Sequence, residues 1–285
     1  MIRLDDQIAL ITGSGRGLGK AYAQLLAEKG AKVVIHDAGV SQDGTGFNPH
    51  VAENTAREIT ETGGTAFACT EILNSRKNCR RLVAKTIEQF NSLDILIHNA
   101  GWVAYQSIEE LTPDFLQRAI NVNLKAPTWL AQAVWPTMKK QSYGRIVLTT
   151  SDRAIYRQYA LEGLAPYAMT KMAQIGLMNV LSVEGESHNI GVNAICPVAK
   201  TRMWNVYDEP ENLKPSQVAP GLLYLASPEC TDSGFVLRAS NGQFTAARWT
   251  ERDHVNYPED LGAVEASTAE DLAKNWKIVK SEVKF

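Results

Sequence analysis

The chain has 285 residues, 45% of them hydrophobic, enough to build one large α/β domain around a sizeable core. Its formal charge is −2, with 29 basic and 31 acidic residues interleaved, which argues against a nucleic-acid track or an acidic-membrane patch and leaves a small molecule as the expected partner. Four scattered cysteines without a CxxC pair and five histidines without ligand spacing argue against disulfides and a metal site.

From Gln7 to about Ser240, short β-rich apolar runs alternate with longer helix-period segments, the pattern of a parallel sheet covered on both faces. Strands are predicted at Ile8–Thr12, Lys32–His36, Thr65–Cys69, Leu93–His98, Arg145–Thr150, Gly191–Cys196 and Phe235–Ala239. Seven strands with crossover helices predict a single α/β domain built on a doubly wound, Rossmann-type sheet. Helices are predicted after Gly17, Val51, Arg76, Thr112, Pro166 and Ser216, and Thr112-Pro113-Asp114 is a start signal with Pro in the first turn. Residues 1–246 are read as a dinucleotide-binding domain. Residues 247–285, with Trp249, Trp276 and an amphipathic Ala269–Val279, are read as an extension that covers the site or packs on a neighbouring subunit. The start of the chain lacks a signal-peptide pattern, no run reaches eighteen apolar residues, and Val283-Lys284-Phe285 is no peroxisomal address. A cytoplasmic protein with buried free thiols is the expectation.

The first strand leads into Thr12-Gly13-Ser14-Gly15-Arg16-Gly17-Leu18-Gly19, where residues without Cβ let a backbone approach a pyrophosphate at a helix N-terminus. A ligand-free tight turn would use the same glycines. Strand two ends at Asp37, whose carboxylate can accept from adenosine ribose hydroxyls and would repel a 2′-phosphate, so NAD is expected over NADP. Arg16 argues the other way. After strand four, Asn99-Ala100-Gly101 offers small residues beside the adenosine.

Tyr167 and Lys171 stand four residues apart and therefore share one helix face, where an ammonium favours a phenolate whose ordinary pKa is about 10. This pair, downstream of the glycine-rich turn, resembles the short-chain dehydrogenase/reductase family. The resemblance implies a hydride transfer between a secondary alcohol or ketone and nicotinamide, with Tyr167 as general acid/base and Lys171 lowering its pKa and binding the ribose. It further implies Ser151 as the hydrogen-bond partner of the substrate oxygen and Asn123 as the holder of a water against the lysine, with Asn121 the competing candidate. Pro197, Val198 and Thr201 would line the nicotinamide. The sequence departs from the family pattern at three points. His98 stands where a second Asn is usual, Glu71 where an Asp often faces adenine, and the sixteen-residue spacing from Ser151 to Tyr167 implies a short insertion in Tyr156–Pro166.

Within the family, the chain resembles the (3R)-hydroxyacyl-CoA dehydrogenase units of peroxisomal multifunctional enzymes and their bacterial relatives. The likeness runs through Ile11–Tyr22, the loop Gly39–Asn48, Val218–Ala226, Gln243–Arg252 and Asn275-Trp276-Lys277. It implies a 3-hydroxyacyl-CoA substrate or, equally, a hydroxysteroid, terpenoid or other cyclic secondary alcohol, for which Trp102, Tyr105, Met203, Trp204 and Tyr207 would supply apolar lining. Arg153, Arg157, Arg202 and Arg248 are the cations available to a CoA. The family also implies a homodimer or homotetramer. A non-catalytic dinucleotide-binding regulator on the same fold is the reading from a different class.

Overall fold

The computed structural model describes residues 1–251 and 253–280, so Arg252 and the Val283–Phe285 terminus lie outside the described residues. By its contacts the chain divides into Met1–Ala246 and a smaller unit from Ala247 onward.

The first unit alternates strand and helix: β1 (Ile8–Thr12), α1 (Gly17–Glu28), β2 (Lys32–His36), α2 (His50–Glu61), β3 (Thr65–Cys69), α3 (Arg76–Phe90) and β4 (Ile95–His98). There follow α4 (Pro113–Ile120), a π-helical turn (Asn121–Lys125), α5 (Ala126–Gln141), β5 (Gly144–Thr149), α6 (Asp152–Ile155) and α7 (Ala165–Gly185). The unit ends with β6 (Ile190–Val198), α8 (Ala219–Ala226), β7 (Val236–Ser240) and β8 (Gln243–Ala247). The strands form one sheet in the order β3-β2-β1-β4-β5-β6-β7-β8. The pairings from β3 to β7 are all parallel.

The fold class is the expected doubly wound α/β sheet, with eight strands among the described residues in place of seven. The additional strand β8 follows β7 across the two residues Asn241 and Gly242, both at positive φ (50° and 75°), as a two-residue hairpin turn requires.

Alternate residues of the inner strands enter opposite cores. Ala9 and Ile11 of β1 join a cluster with Tyr22, Leu26, Ile59 and Leu222, while Ile8 and Leu10 join Leu82, Leu130, Met138 and Met178 on the other face. Because β2 and β4 flank β1, chain order reverses there, and the carboxyl ends of β1 and β4 open a crevice at the switch point. Thr12, His98, Thr149 and Val198, each the last residue of its strand, lie along that edge.

The α4–α5 rod starts as Thr112-Pro113-Asp114 predicts: the Thr112 hydroxyl accepts from Phe115 N at 3.3 Å. It is broken by the π turn, which turns Asn123 inward. In the second unit, α9 (Ala269–Val279) is capped by Thr268, whose hydroxyl accepts from Asp271 N at 3.1 Å, with Glu270 and Asp271 in its first turn. Among the described residues no helix is long and apolar enough to cross a membrane, and no cluster of His, Cys, Asp or Glu is arranged to hold a metal.

Candidate active site

At the switch point the glycine-rich turn is packed so closely that side chains could not enter it. Gly13 has φ +66°, and a Cβ there would lie 2.9 Å from Ala100 Cα. One on Gly19 would lie 2.2 Å from the Gly13 carbonyl oxygen. Asn99 holds the turn, its Nδ2 donating to Gly13 O at 2.9 Å and Thr12 O at 3.2 Å. The α1 N-terminus has no side-chain cap and no acidic residue in its first turn, so its amides are available to an anion. Leu18 packs against the core beneath, and Thr201 Cγ2 fills the space where a Gly17 Cβ would come within 3.2 Å.

Asp37 is 9% exposed and accepts from Gly15 N at 3.1 Å and Gly39 N at 2.8 Å, which fixes its carboxylate beside the turn. Arg16 and Arg202 both donate to Val40 O, at 3.0 and 3.1 Å. Glu71 is buried and neutralised by Arg81 and Lys85, the latter at 2.7 Å, so its carboxylate is already committed to those cations. These residues fit a dinucleotide: a cradle that a Cβ would fill, open helix amides, and a carboxylate at the end of β2.

On the other side of the crevice, Lys171 is 3% exposed and its Nζ donates to Thr149 O at 2.7 Å, directed there by the position of α7 beneath the end of β5. Thr150 ties the same helix down by donating from Oγ1 to Lys171 O at 2.9 Å. Burial pulls the Lys171 pKa down to about 8. Its ammonium lies 5.8 Å from the Tyr167 ring centroid. Desolvation pushes the Tyr167 phenol up, while hydrogen bonding with Ser151 pulls it back down. Ser151 caps α6, accepting from Arg153 N at 3.3 Å.

Asn123 is fully buried, its Oδ1 accepting from Trp102 N and its Nδ2 donating to Trp102 O, both at 2.9 Å, while its own carbonyl accepts from Gln174 Nε2 at 2.7 Å. Asn121, the alternative, is half-buried and accepts from Gln117 Nε2. Gly101 adjoins both groups, since a Cβ there would stand 3.4 Å from Asn123 Oδ1 and from Lys171 Nζ. Pro197 and Val198 close β6 in register with Ala239 and Ser240, and the Thr201 hydroxyl accepts from Met203 N at 3.3 Å. Ser151 is followed by α6, and the segment Tyr156–Pro166, where an insertion is expected, carries a 3-10 turn at Arg157–Tyr159.

The match of a family model for short chain dehydrogenases to residues 7–212 decides the kinship. The chain belongs to the short-chain dehydrogenase family. This short-chain dehydrogenase is 36% identical over 250 residues to peroxisomal multifunctional enzyme type 2 of Drosophila melanogaster, an alignment covering 86% of this chain and 40% of that one. The crystal structure of a short chain dehydrogenase from Mycobacterium avium superposes with a TM-score of 0.82 at 28% identity, over 98% of both chains. A 7α-hydroxysteroid dehydrogenase solved with NADH and 7-oxo glycochenodeoxycholic acid superposes with a TM-score of 0.75 at 30% identity, over 84% of this chain and 95% of that one. The chain thus spans less than half the length of the multifunctional relative.

Sequence reasoning missed the network behind the site. The Thr12 hydroxyl accepts from Asn99 N and Ala100 N, each at 3.1 Å, so its own proton goes to His98 Nδ1, also 3.1 Å away. His98 is therefore neutral with its proton on Nε2, facing Val122 of the π turn. Burial, with Lys171 nearby, pushes its pKa down to about 3. The unfolded chain takes up this proton near pH 6.5 and the folded chain does not, so acid favours unfolding between those values. Between pH 7 and pH 5, His98 is expected to cost about 2 kcal/mol of stability. Urea unfolding at both pH values should show that His98→Asn removes this part of the pH dependence; an identical dependence in the variant would count against a buried neutral imidazole.

Proposed function

We propose that the protein is an NAD-dependent dehydrogenase of secondary alcohols whose substrate is a 3-hydroxyacyl-CoA. The observation that carries this reading is the convergence of Ser151, Tyr167, Lys171 and Asn123 on the carboxyl end of the sheet, beside a cradle shaped for a dinucleotide.

Tyr167 takes the proton of the substrate hydroxyl as the carbonyl forms and returns it in the reverse direction. Ser151 hydrogen-bonds the same oxygen and orients it toward the phenol. Lys171, held by Thr149 O, keeps a positive charge near the tyrosine at neutral pH and so favours the phenolate over the phenol. Asn123 stabilises the π turn and the Trp102 backbone that borders the crevice. When bound, NAD accepts the hydride and its positive ring further favours the phenolate. Gly13, Arg16, Gly17, Leu18, Gly19, Asp37, Asn99, Ala100, Gly101, Pro197, Val198 and Thr201, with Tyr167 and Lys171, form its binding surface in this reading.

Asp37 supports NAD over NADP, because a fixed carboxylate at the end of β2 repels a 2′-phosphate. Fluorescence titration should give an NAD dissociation constant at least about tenfold below that of NADP, a difference of about 1.4 kcal/mol. Tighter NADP binding, through Arg16 and Arg202, would overturn the choice of NAD while leaving the chemistry in place.

The CoA thioester is supported by the likeness to a peroxisomal multifunctional enzyme over most of this chain. The second reading, a hydroxysteroid or other cyclic secondary alcohol, is supported by the superposition on a hydroxysteroid dehydrogenase. Competition by free CoA against substrate favours the first; its absence favours the second. The exposed apolar residues Met169, Met172, Val180 and Val183 along α7 support a homo-oligomer. Four buried free thiols support a reducing compartment such as the cytoplasm.

A further inference from the structure

Arg238 lies on β7, to which the chemistry above assigns nothing, yet its guanidinium holds both ends of α6. Its Nε donates to Asp152 Oδ1 at 2.8 Å and its Nη2 to Asp152 Oδ2 at 3.1 Å, a fork on a carboxylate. The same guanidinium lies 4.6 Å from the ring centroid of Tyr156, the residue that ends α6. Tyr156 in turn meets Tyr159 edge-on, with centroids 5.9 Å apart. Asp152 also hydrogen-bonds Cys196 of β6, which lies beneath it.

A four-residue helix cannot hold its own geometry, and α6 buries none of its residues. Its orientation is therefore set from outside, by Ile155 packed against the core and by the contacts at its first residue and just past its last. Ser151 is the residue immediately before, at the N-cap.

We propose that Arg238 is a positioning residue for Ser151: by clamping Asp152 and Tyr156 it sets the orientation of α6, the aim of the Ser151 hydroxyl, and the near wall of the substrate mouth. The proposal rests on the Ser151 assignment made above. A bidentate pair with one partner 16% and the other 32% exposed is dry enough to hold a geometry, and the aromatic face adds a second point of contact.

The test compares Arg238→Gln, Arg238→Lys and Ser151→Ala, with NAD binding followed by fluorescence and turnover across pH. Arg238→Gln should lower kcat roughly 10- to 100-fold, the cost of misplacing a group near the chemistry, while NAD affinity stays unchanged. The acid limb of its kcat profile should move to higher pH. Tyr167 loses the Ser151 hydrogen bond that lowers its pKa, and Arg153, which also lowers it, moves with α6, while Lys171, Cys196 and Tyr105, which also face it, stay in place. Arg238→Lys should recover part of the loss, since it restores the charge without the fork. Adding Arg238→Gln to Ser151→Ala should cost little beyond the single variant.

An unchanged kcat and pH profile in Arg238→Gln, or a full multiplicative loss in the double variant, would overturn the proposal. Ser151→Ala with undiminished turnover would instead overturn the Ser151 assignment, and the proposal with it. If Arg238→Gln does not fold, Tyr156→Leu removes the ring's contacts with Arg238 and Tyr159 and leaves the Asp152 fork; it should move the same acid limb with a smaller loss of kcat, and an unmoved limb overturns the proposal.

Discussion

Tyr167→Phe should bind NAD as the parent does and lose turnover by about 10³- to 10⁴-fold. The substitution removes one oxygen atom from a half-buried ring on α7 and leaves the ring itself, with the Lys171 ammonium 5.8 Å from its centroid. The glycine cradle, Asp37 and the open amides of α1 lie on the other side of the crevice and are untouched, so the dinucleotide surface stays intact. What is lost is the hydroxyl that hydrogen-bonds with Ser151 on the ring beside the lysine, and removing a positioned acid/base typically costs two to four orders of magnitude. Steady-state kinetics with parallel fluorescence titration of NAD separates the two quantities. Turnover within tenfold of the parent would remove Tyr167 from the acid/base role.

Lys171→Met should abolish measurable turnover and yet leave the ligand-free protein no less stable at neutral pH. The ammonium sits 3% exposed and donates to Thr149 O, and burial pulls its pKa from an ordinary value near 10.5 to about 8. The unfolded chain keeps its proton across that window while the folded chain gives it up. Stability therefore rises as pH increases from about 8 to 10.5, and the full cost of burying the charge is present below pH 8. That cost is on the order of 3 kcal/mol, against roughly 1.5–3 kcal/mol for a hydrogen bond to a charged group. A methionine of similar length avoids the charge and forfeits the bond. Denaturant unfolding from pH 7 to pH 10 should show a parent that gains stability above pH 8 and a variant that does not. A variant that keeps the parent's slope, or falls several kcal/mol below it at pH 7, would mean that the lysine is held by partners stronger than its burial. The lysine would then contribute stability to the ligand-free fold in place of costing it.

The parts of the molecule governed by local pattern were legible in the sequence. Apolar runs such as Ile8–Thr12 and Lys32–His36 have to be buried strands of a parallel sheet, because both their faces are apolar, and the structure places them there with those bounds. The strand β8 was not read from its side chains. Gln243–Ala247 is mostly exposed and carries no buried face, and the signal lay in the Asn241-Gly242 turn before it. The π turn at Asn121–Lys125 is likewise invisible to a search for 3.6-residue periodicity, since it inserts into an otherwise continuous apolar stripe. The motif residues of the site are adjacent in sequence or at fixed helical spacing, which is why they could be named. Their supports are not: Arg238 meets Asp152 across 86 positions, and Thr12 meets His98 across another 86. Such pairs are set by strand order alone.

Deuterium transfer tests the central claim most directly. The protein is incubated with NAD and a 3-hydroxyacyl-CoA deuterated at its carbinol carbon, and the reduced cofactor is examined by mass spectrometry. One deuterium is expected in each NADH formed, with none when Tyr167→Phe replaces the parent. Saturable NAD binding without label in the cofactor, from this substrate and from deuterated hydroxysteroid and cyclic terpenoid alcohols alike, would contradict it.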